Sequence, residues 1–515
     1  MKKQINTYLN ILFITVIAVI FTIPGFFRNF WWDESITLTD FIQLPYSEIY
    51  KQYAIANNHI IYTIFLKLWH NLTGNLSVSE FHFRILSFCT GIAALISSYL
   101  FLKKTFSNRT SLFVTLSFAV SSPFLIYATA VRGYMLSASI LCITYFFVYN
   151  CFKRNSLPDY IVFFILSITA VGIMPTNLIG IYAVIFSIAP FFIDFKEDIS
   201  KSKSVIMFFS NKKNLILLLT PPLAFILFYA PLFSKLLNIL KNNSGAVSHL
   251  SSLLNLYITL FITFLPCFLL ALFPLFNKNK KLETLKSPLN GIKYSSIYHR
   301  YFVNTVFMFL IFLLPVILIF SRTPAPFARI FFQLWPLFMF ITAFYIETAL
   351  QNLNEKNINT FTSNTVKYFP LIILLWGGLV LNITPVLSDT LFNSGINDDF
   401  LSPYYMHNFK PAQLVKDADA LCKKNGYPVF VSATTDYPSI NLYSATQNAS
   451  KSFTFLYLPN KKANIKIPKD ISFYYVTNSN ENLKDFIRKY AVNQQLEWEK
   501  SYGIQALYFF SNKKD

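Results

Sequence analysis

The sequence predicts a polytopic α-helical membrane protein with about 11 transmembrane helices and a small C-terminal α/β domain. Of its 515 residues, 54% are apolar, 18% aromatic and only 13% charged, and the mean hydropathy is +0.45. Apolar stretches of about 20 residues, enough to cross a hydrocarbon core about 30 Å thick, recur from Leu9 to Leu387. This composition excludes a soluble or disordered chain. The five cysteines are scattered, with no disulfide or metal-ligand spacing.

Each predicted span is an apolar stretch bounded by polar or basic residues. The first follows the basic start Met1-Lys2-Lys3 and lacks a small-x-small cleavage pattern, so we predict a retained signal anchor. The predicted spans are 8–27, 85–102, 111–128, 133–151, 158–174, 176–193, 214–233, 253–276, 301–321, 329–350 and 368–388.

Basic residues predict the orientation. With a cytoplasmic N-terminus, the inner loops and that terminus hold 20 of the 44 Lys and Arg residues, as the positive-inside rule requires. An odd number of spans then places the first loop, 28–84, and the C-terminal region outside the cytoplasm. We therefore expect a multi-pass membrane protein: in a bacterium, one of the inner membrane with a periplasmic or extracellular C-terminal domain, and in a eukaryote one with a lumenal C-terminal domain. The net charge of +20 needs no nucleic-acid partner to explain it.

Two domains are predicted, a transmembrane part over 1–390 and a soluble extracytoplasmic α/β domain over 391–515. In the first loop, the apolar stretch 60–69 is too short to cross the membrane and carries Lys67, which indicates a helix lying in the interface. In the C-terminal domain, the patterns predict helices at 411–424 and 482–490 and strands at 429–431, 473–476 and 506–510.

Adjacent carboxylates follow the first span in Trp31-Trp32-Asp33-Glu34. An ionised side chain beside the hydrocarbon core is costly unless it has a binding partner or a functional role. The alternative is that Asp33 only caps a following loop helix. We expect an extended segment here, in which Glu34 points away from its neighbour.

Further polar side chains are predicted on the same side of the membrane. Taken singly, His59 is consistent with a hydrogen-bonded loop residue and Arg84 with a snorkelling anchor. Arginines on a surface that otherwise avoids positive charge, beside a carboxylate, suit a lipid-linked phosphate, because guanidinium forks bind phosphate. The outer-loop residues are Asn58, His59, Lys67, Glu80, Arg84, Arg132, Tyr134, Arg322 and Arg329.

The order of these motifs resembles that of the GT-C membrane glycosyltransferases, in particular the bacterial protein-mannosyltransferase and aminoarabinose-transferase group. The resemblance covers roughly residues 5 to 345 and departs from the family where Ile60 and Gly133 replace a frequent proline. The motifs that carry it are Trp32-Asp33-Glu34, Asn58-His59, Leu66-Lys67-Leu68-Trp69, Glu80, Arg84-Ile85-Leu86-Ser87, Ser122-Pro123, Ala130-Val131-Arg132-Gly133-Tyr134 and Ala328-Arg329.

The resemblance implies an enzyme that transfers a sugar from a polyprenyl-phosphate carrier to lipid A, a protein or another glycan, with Asp33 as the catalytic base. Direct displacement by the acceptor would invert the anomeric centre. Glu34 is a second catalytic candidate, in positioning, acceptor binding or metal binding. Arg84, Arg132, Arg322 and Arg329 are the expected phosphate ligands, and Asn58, His59, Lys67, Glu80 and Tyr134 the expected substrate contacts. No cofactor is implied with certainty, and a divalent cation, Mg²⁺ or Mn²⁺, is left open.

Two other classes remain as alternatives. An O-antigen ligase or polymerase would share the outer arginines, but is not expected to carry Asp-Glu directly after the first span. A transporter of lipid-linked sugars would place ionisable groups at mid-membrane depth and often has two similar halves. Here the charges are predicted at the outer edge.

Overall fold

The computed structural model describes residues 2–52, 58–73, 79–193, 201–242, 332–354, 410–432, 437–456 and, with short gaps, 471–512. Its contacts divide the chain into two compact units. The first comprises Met1–Ile23, Ser47–Leu66 and Arg84–Ser402, and the second Pro24–Tyr46, Lys67–Phe83 and Pro403–Asp515. The second unit therefore combines parts of the first loop with the C-terminal region. The predicted domain boundary at residue 390 lies outside the described residues.

The described part of the chain is mostly helical, as predicted. In chain order its helices are α1 Lys2–Phe26, α2 Trp32–Ile36, α3 Tyr46–Lys51, α4 Ile60–Leu72, α5 Glu80–Thr105, α6 Asn108–Ala119, α7 Ser122–Ala128, α8 Tyr134–Arg154, α9 Leu157–Ile173, α10 Asn177–Ile188, α11 Lys201–Ser210, α12 Lys212–Tyr229, α13 Phe233–Asn242, α14 Trp335–Asn354, α15 Pro411–Asn425 and α16 Tyr437–Thr446.

Four of the described helical segments are long and apolar enough to cross a membrane: Gln4–Ile23, Glu80–Thr105, Tyr134–Arg154 and Lys212–Asn238. They coincide with the first, second, fourth and seventh predicted spans. Shorter apolar helices occupy Leu157–Ile173, Asn177–Ile188 and Phe332–Phe344. The predicted spans 253–276, 301–321 and 368–388 lie outside the described residues, so the predicted number of helices stays a prediction.

The third predicted span, 111–128, is wrong as a single helix because the chain breaks between α6 and α7. Ser121 is the N-cap of α7, and its hydroxyl accepts the backbone N–H of Phe124 at 3.4 Å. Pro123 lies in the first turn of α7, where the missing N–H of proline costs no helical hydrogen bond. Hydropathy is continuous across this point and therefore did not indicate the break.

The second unit contains a five-stranded sheet with the order β2-β1-β3-β5-β4. Strand β1 pairs in parallel with β2 and β3, and β5 pairs antiparallel with β3 and β4. The predicted strands β1, β3 and β5 and the helix α15, which ends at Gly426 with φ +74°, are confirmed. The predicted helix 482–490 lies largely outside the described residues. The strands are β1 Val429–Val431, β2 Phe453–Phe455, β3 Phe473–Asn478, β4 Gln494–Tyr502 and β5 Gln505–Asn512.

A carboxylate joins α15 to the edge strand β4. Asp417 accepts hydrogen bonds from Lys500 and Tyr502 at 2.6 and 2.7 Å, and from Gln413 at 2.7 Å. Burial alone would raise the pKa of Asp417, but these donors outweigh it and the pKa lies below its usual value. A lowered native-state pKa means that the ionised carboxylate stabilises the folded unit.

We expect this stabilisation to be present at neutral pH and to be lost as the pH falls below about 4, towards the lowered pKa of Asp417. Asp417→Asn should therefore lower the stability of the protein at pH 7 by about 1 kcal/mol, and the difference from wild type should shrink in acid. Thermal unfolding of both full-length proteins between pH 3 and 7 measures this. A difference that is the same at every pH would contradict the assignment.

Candidate functional site

The sequence-predicted polar residues fall in both units, and each unit brings some of them close together. In the first unit, the loop before α4 meets the turn before α8. In the second unit, the carboxylates after α1 lie in the short helix α2. These are His59, Arg132 and Tyr134 in the first unit, and Asp33 and Glu34 in the second, where Glu34 pairs with Arg28, a residue that was not predicted.

His59 and Arg132 lie side by side in the first unit although they are 73 positions apart in sequence. Nη2 of Arg132 is 3.1 Å from Nε2 of His59, and the backbone N–H of Gly133 donates to Nδ1 at 2.9 Å. The imidazole meets the ring of Tyr134 edge to face at 5.1 Å. His59 is 5% and Arg132 3% exposed, so the pair is shielded from bulk solvent.

Gly133 makes this contact possible in two ways. A Cβ atom at position 133 would lie 2.8 Å from Nδ1 of His59 and 2.7 Å from Cγ2 of Ile173, which is too close for either neighbour. A proline would also lack the N–H that binds His59. The departure from the family pattern at position 133 therefore has a structural reason in this chain.

Two residues that the sequence analysis missed support the Arg132 turn. The hydroxyls of Tyr62 on α4 and Ser87 on α5 are 2.7 Å apart, and Ser87 donates to the carbonyl of Arg132 at 3.5 Å. Both side chains are buried. Ser87 belongs to a motif that carried the resemblance, and Tyr62 lies between two of these motifs, so their positions were a signal that went unused.

Asp33 and Glu34 lie in α2, and the prediction of an extended segment is wrong. The carboxylate of Glu34 accepts the N–H of Trp31, the N-cap residue, at 3.2 Å, which starts a helical turn. Glu34 also forms an ion pair with Arg28 at 3.5 Å, and both side chains are almost fully buried. Glu34 rather than Asp33 thus makes the capping contact.

The two adjacent carboxylates have different environments. Glu34 is 0% exposed and is held by Arg28 and by its own turn, whereas Asp33 is partly exposed in the first turn of α2. Residues Thr37–Phe41 continue α2 as a π-helical turn, and the Thr37 hydroxyl donates to the carbonyl of Asp33 at 2.8 Å. Asp33 is therefore the less buried of the two residues, although its Oδ2 atom is itself shielded from solvent, and it lies on a turn with fixed geometry.

The remaining predicted residues have varied positions. The Asn58 side chain closes its loop by donating to the carbonyls of Ile49 and Gln52 at 2.9 and 3.0 Å. Lys67 donates to the carbonyl of Ile42 at 2.7 Å. Arg84 is fully buried in the first unit, and Glu80 accepts a hydrogen bond in the second. Arg322 and Arg329 lie outside the described residues.

Over the described ranges, no three His, Cys, Asp or Glu side chains are grouped so that they could hold a metal ion.

The chain is similar to several solved structures. ArnT from Cupriavidus metallidurans bound to undecaprenyl phosphate matches with a TM-score of 0.50 and 11% identity over 98% of each chain, and its apo state with 0.47 and 10% over 98% of each. The Archaeoglobus fulgidus oligosaccharyltransferase, tethered to an acceptor peptide, matches with 0.45 and 11% identity over 92% of this chain and 69% of its own. No protein-family model and no curated protein matches the chain.

At this identity the likeness to ArnT bound to undecaprenyl phosphate establishes the fold alone. The chain thus shares the fold of this structure, and the predicted resemblance is confirmed at the level of the fold. The described residues form apolar helices, four of them long enough to cross a membrane, and a small sheet.

Proposed function

We propose that the chain is an integral-membrane glycosyltransferase that moves a sugar from a polyprenyl-phosphate-linked donor to an acceptor of the cell envelope. The shared fold with ArnT, which was crystallised with undecaprenyl phosphate, supports a ligand of this class. The observation that carries the proposal is the buried pair of His59 and Arg132.

This pair has the chemistry of an anion site. A neutral imidazole has one N–H and one lone pair. Because Nδ1 accepts the Gly133 N–H, we assign the ring hydrogen to Nε2, which faces another donor, the Arg132 guanidinium. An anion with two oxygens accepts from both donors at once. Phosphate is such an anion, and a guanidinium binds it with two parallel hydrogen bonds.

The same donors suit the departure of a phosphate. As the bond between the anomeric carbon and the phosphate oxygen breaks, its electron pair stays on the oxygen and negative charge grows there. Fixed hydrogen-bond donors such as Arg132 and His59 stabilise that charge more in the transition state than in the ground state. The products are the glycosylated acceptor and the polyprenyl phosphate.

Asp33 is the proposed general base. The incoming hydroxyl or amine of the acceptor forms the new bond to the anomeric carbon and loses its proton to the Asp33 carboxylate, so the step is balanced without a further reactant. Displacement from the face opposite the phosphate inverts the anomeric centre. The partial exposure of Asp33, in contrast to the fully buried ion pair of Glu34, supports this division of roles.

The proposal retains the prediction that the reaction takes place outside the cytoplasm, with lipid A, a protein or another glycan as the acceptor.

Purified protein in vesicles that contain a polyprenyl-phosphate sugar should release polyprenyl phosphate in a one-to-one ratio with glycosylated acceptor. Mass analysis of envelope glycolipids and glycoproteins from cells with and without the gene names both substrates, because one hexose or aminosugar mass should be missing. Transfer of the intact lipid-linked sugar across the bilayer without bond cleavage would instead identify a transporter.

A further inference from the structure

The helix α16 of the C-terminal region packs against the turn that carries Asp33, within the second unit. We infer that Tyr443 and Ser439 of this helix are positioning residues, which fix the carboxylate of Asp33 for the transfer reaction. The inference rests on the proposed function for the role of Asp33 and adds a task for a domain whose role the sequence left open.

Both backbone groups of Phe30, just before the Asp33 turn, are bound by side chains of α16. The N–H of Phe30 donates to the Tyr443 hydroxyl at 2.8 Å, and the Ser439 hydroxyl donates to the Phe30 carbonyl at 3.0 Å. Phe30 is 1% and Ser439 0% exposed. A buried backbone group that loses its partner is costly, so these two side chains hold the start of the turn in place.

The contacts extend to the other side of the turn. The hydroxyl oxygens of Ser35 and Ser439 lie 3.0 Å apart. Asp33 therefore lies between two points, Phe30 and Ser35, that the same helix holds. Between these two points, the Glu34 carboxylate accepts the N–H of Trp31 and fixes the turn itself.

Tyr443 also links the turn to α5. Its hydroxyl accepts from Phe30 and donates to Oε1 of Glu80 at 2.6 Å, so its single hydrogen and a lone pair are both used. The ring of Tyr443 stacks on that of Phe30, with centroids 6.2 Å apart. Glu80 thus orients the hydroxyl, and the hydroxyl orients the backbone that precedes Asp33.

Contacts that only position the Asp33 turn affect the rate of the reaction more than the binding of the donor. A displacement of about 1 Å in a reacting group lowers a rate on the order of 100-fold, even when the substituted residue does not touch the substrate. Loss of the Tyr443 hydroxyl removes both the acceptor for Phe30 and the donor to Glu80, but leaves the aromatic packing. We therefore expect a fall in kcat with little change in the KM for the donor.

The test uses full-length Tyr443→Phe and Ser439→Ala in vesicles. We expect each to lower the kcat of transfer about tenfold, with the KM for the polyprenyl-phosphate sugar within about twofold of wild type. Amide hydrogen exchange of a peptide covering 28–36 should become faster in both variants. Tyr474→Phe is the matched control, because it removes an equally buried hydroxyl that binds Asn425 at 2.6 Å, away from this turn; it should leave kcat and the exchange of 28–36 unchanged.

Unchanged exchange of 28–36 in both α16 variants would overturn the inference, as would faster exchange with a wild-type kcat. An effect of Tyr474→Phe equal to that of Tyr443→Phe would also overturn it, because the loss would then be one of general stability. The exchange measurement needs no sugar donor. A failure of the proposed function is therefore distinguishable, since the wild-type protein would then transfer no sugar, or Asp33→Asn would remain active, whatever the exchange of 28–36 shows.

Discussion

Asp33→Asn is expected to lower the rate of sugar transfer by about 1,000-fold or more. Asparagine has nearly the same size and shape as aspartate but cannot take the proton of the acceptor. Asp33 is partly exposed and, unlike Glu34, does not make the capping contact of its helix, so the variant should fold and insert normally. The measurement is single-turnover transfer from a polyprenyl-phosphate sugar in vesicles, with protein amount and thermal stability determined in parallel.

Asp40→Asn is the matched control, because it makes the same substitution at an exposed carboxylate seven positions further along. It should transfer sugar at the wild-type rate. Glu34→Gln separates the two neighbouring acids. Its loss of the ion pair with Arg28 should lower the stability of the protein, since breaking one side of a buried pair leaves the other charge uncompensated. Wild-type transfer by Asp33→Asn would reject Asp33 as the base.

Arg132→Lys is expected to lower kcat/KM for the lipid-linked donor about 100-fold. Lysine keeps the positive charge but presents one ammonium group, so the two parallel hydrogen bonds to a phosphate are lost. Arg132 is almost fully buried, and lysine is chosen because retaining the charge and most of the side-chain length disturbs the fold least. The loss should also appear in binding, as a smaller increase in thermal stability when undecaprenyl phosphate is added.

Arg109→Lys provides the control, since this exposed arginine stacks over Phe113 at 5.6 Å and lies outside the His59 group. It should bind undecaprenyl phosphate and transfer sugar as the wild type does. His59→Gln in a third protein removes the imidazole and should weaken binding of the same lipid. Equal stabilisation of wild-type and Arg132→Lys protein by undecaprenyl phosphate would contradict the assignment of the phosphate site.

The sequence predicted long apolar helices well because length and hydropathy are all that a membrane-crossing helix requires. It missed the break at Ser121, where a cap and a first-turn proline act on the backbone without altering hydropathy. In the sheet, the apolar strands β1, β3 and β5 were predicted. The edge strand β4 was not, because most of its residues are polar and six of its nine residues are exposed.

For the candidate site, the sequence predicted members but not contacts. His59 and Arg132 were each identified, yet their pairing depends on how α4 packs beside the turn before α8 and on the space that Gly133 leaves. Tyr443 and Ser439 were missed because an ordinary tyrosine and serine in a helix carry no motif. The pair of Arg28 and Glu34 was predictable in principle, since opposite charges at the end of an apolar span favour each other.

The hydrogen bond between Phe30 and Tyr443 also bears on how the protein matures during synthesis. Its two partners are separated by 413 positions, which a ribosome translating about 5 to 20 residues per second needs roughly 20 to 80 seconds to cover. For that interval the nascent polypeptide carries its acidic turn without the side chains that later enclose it. On the proposed role of α16, transfer activity is therefore expected only after the last fifth of the chain has been synthesised. Prematurely terminated products are expected to be inactive.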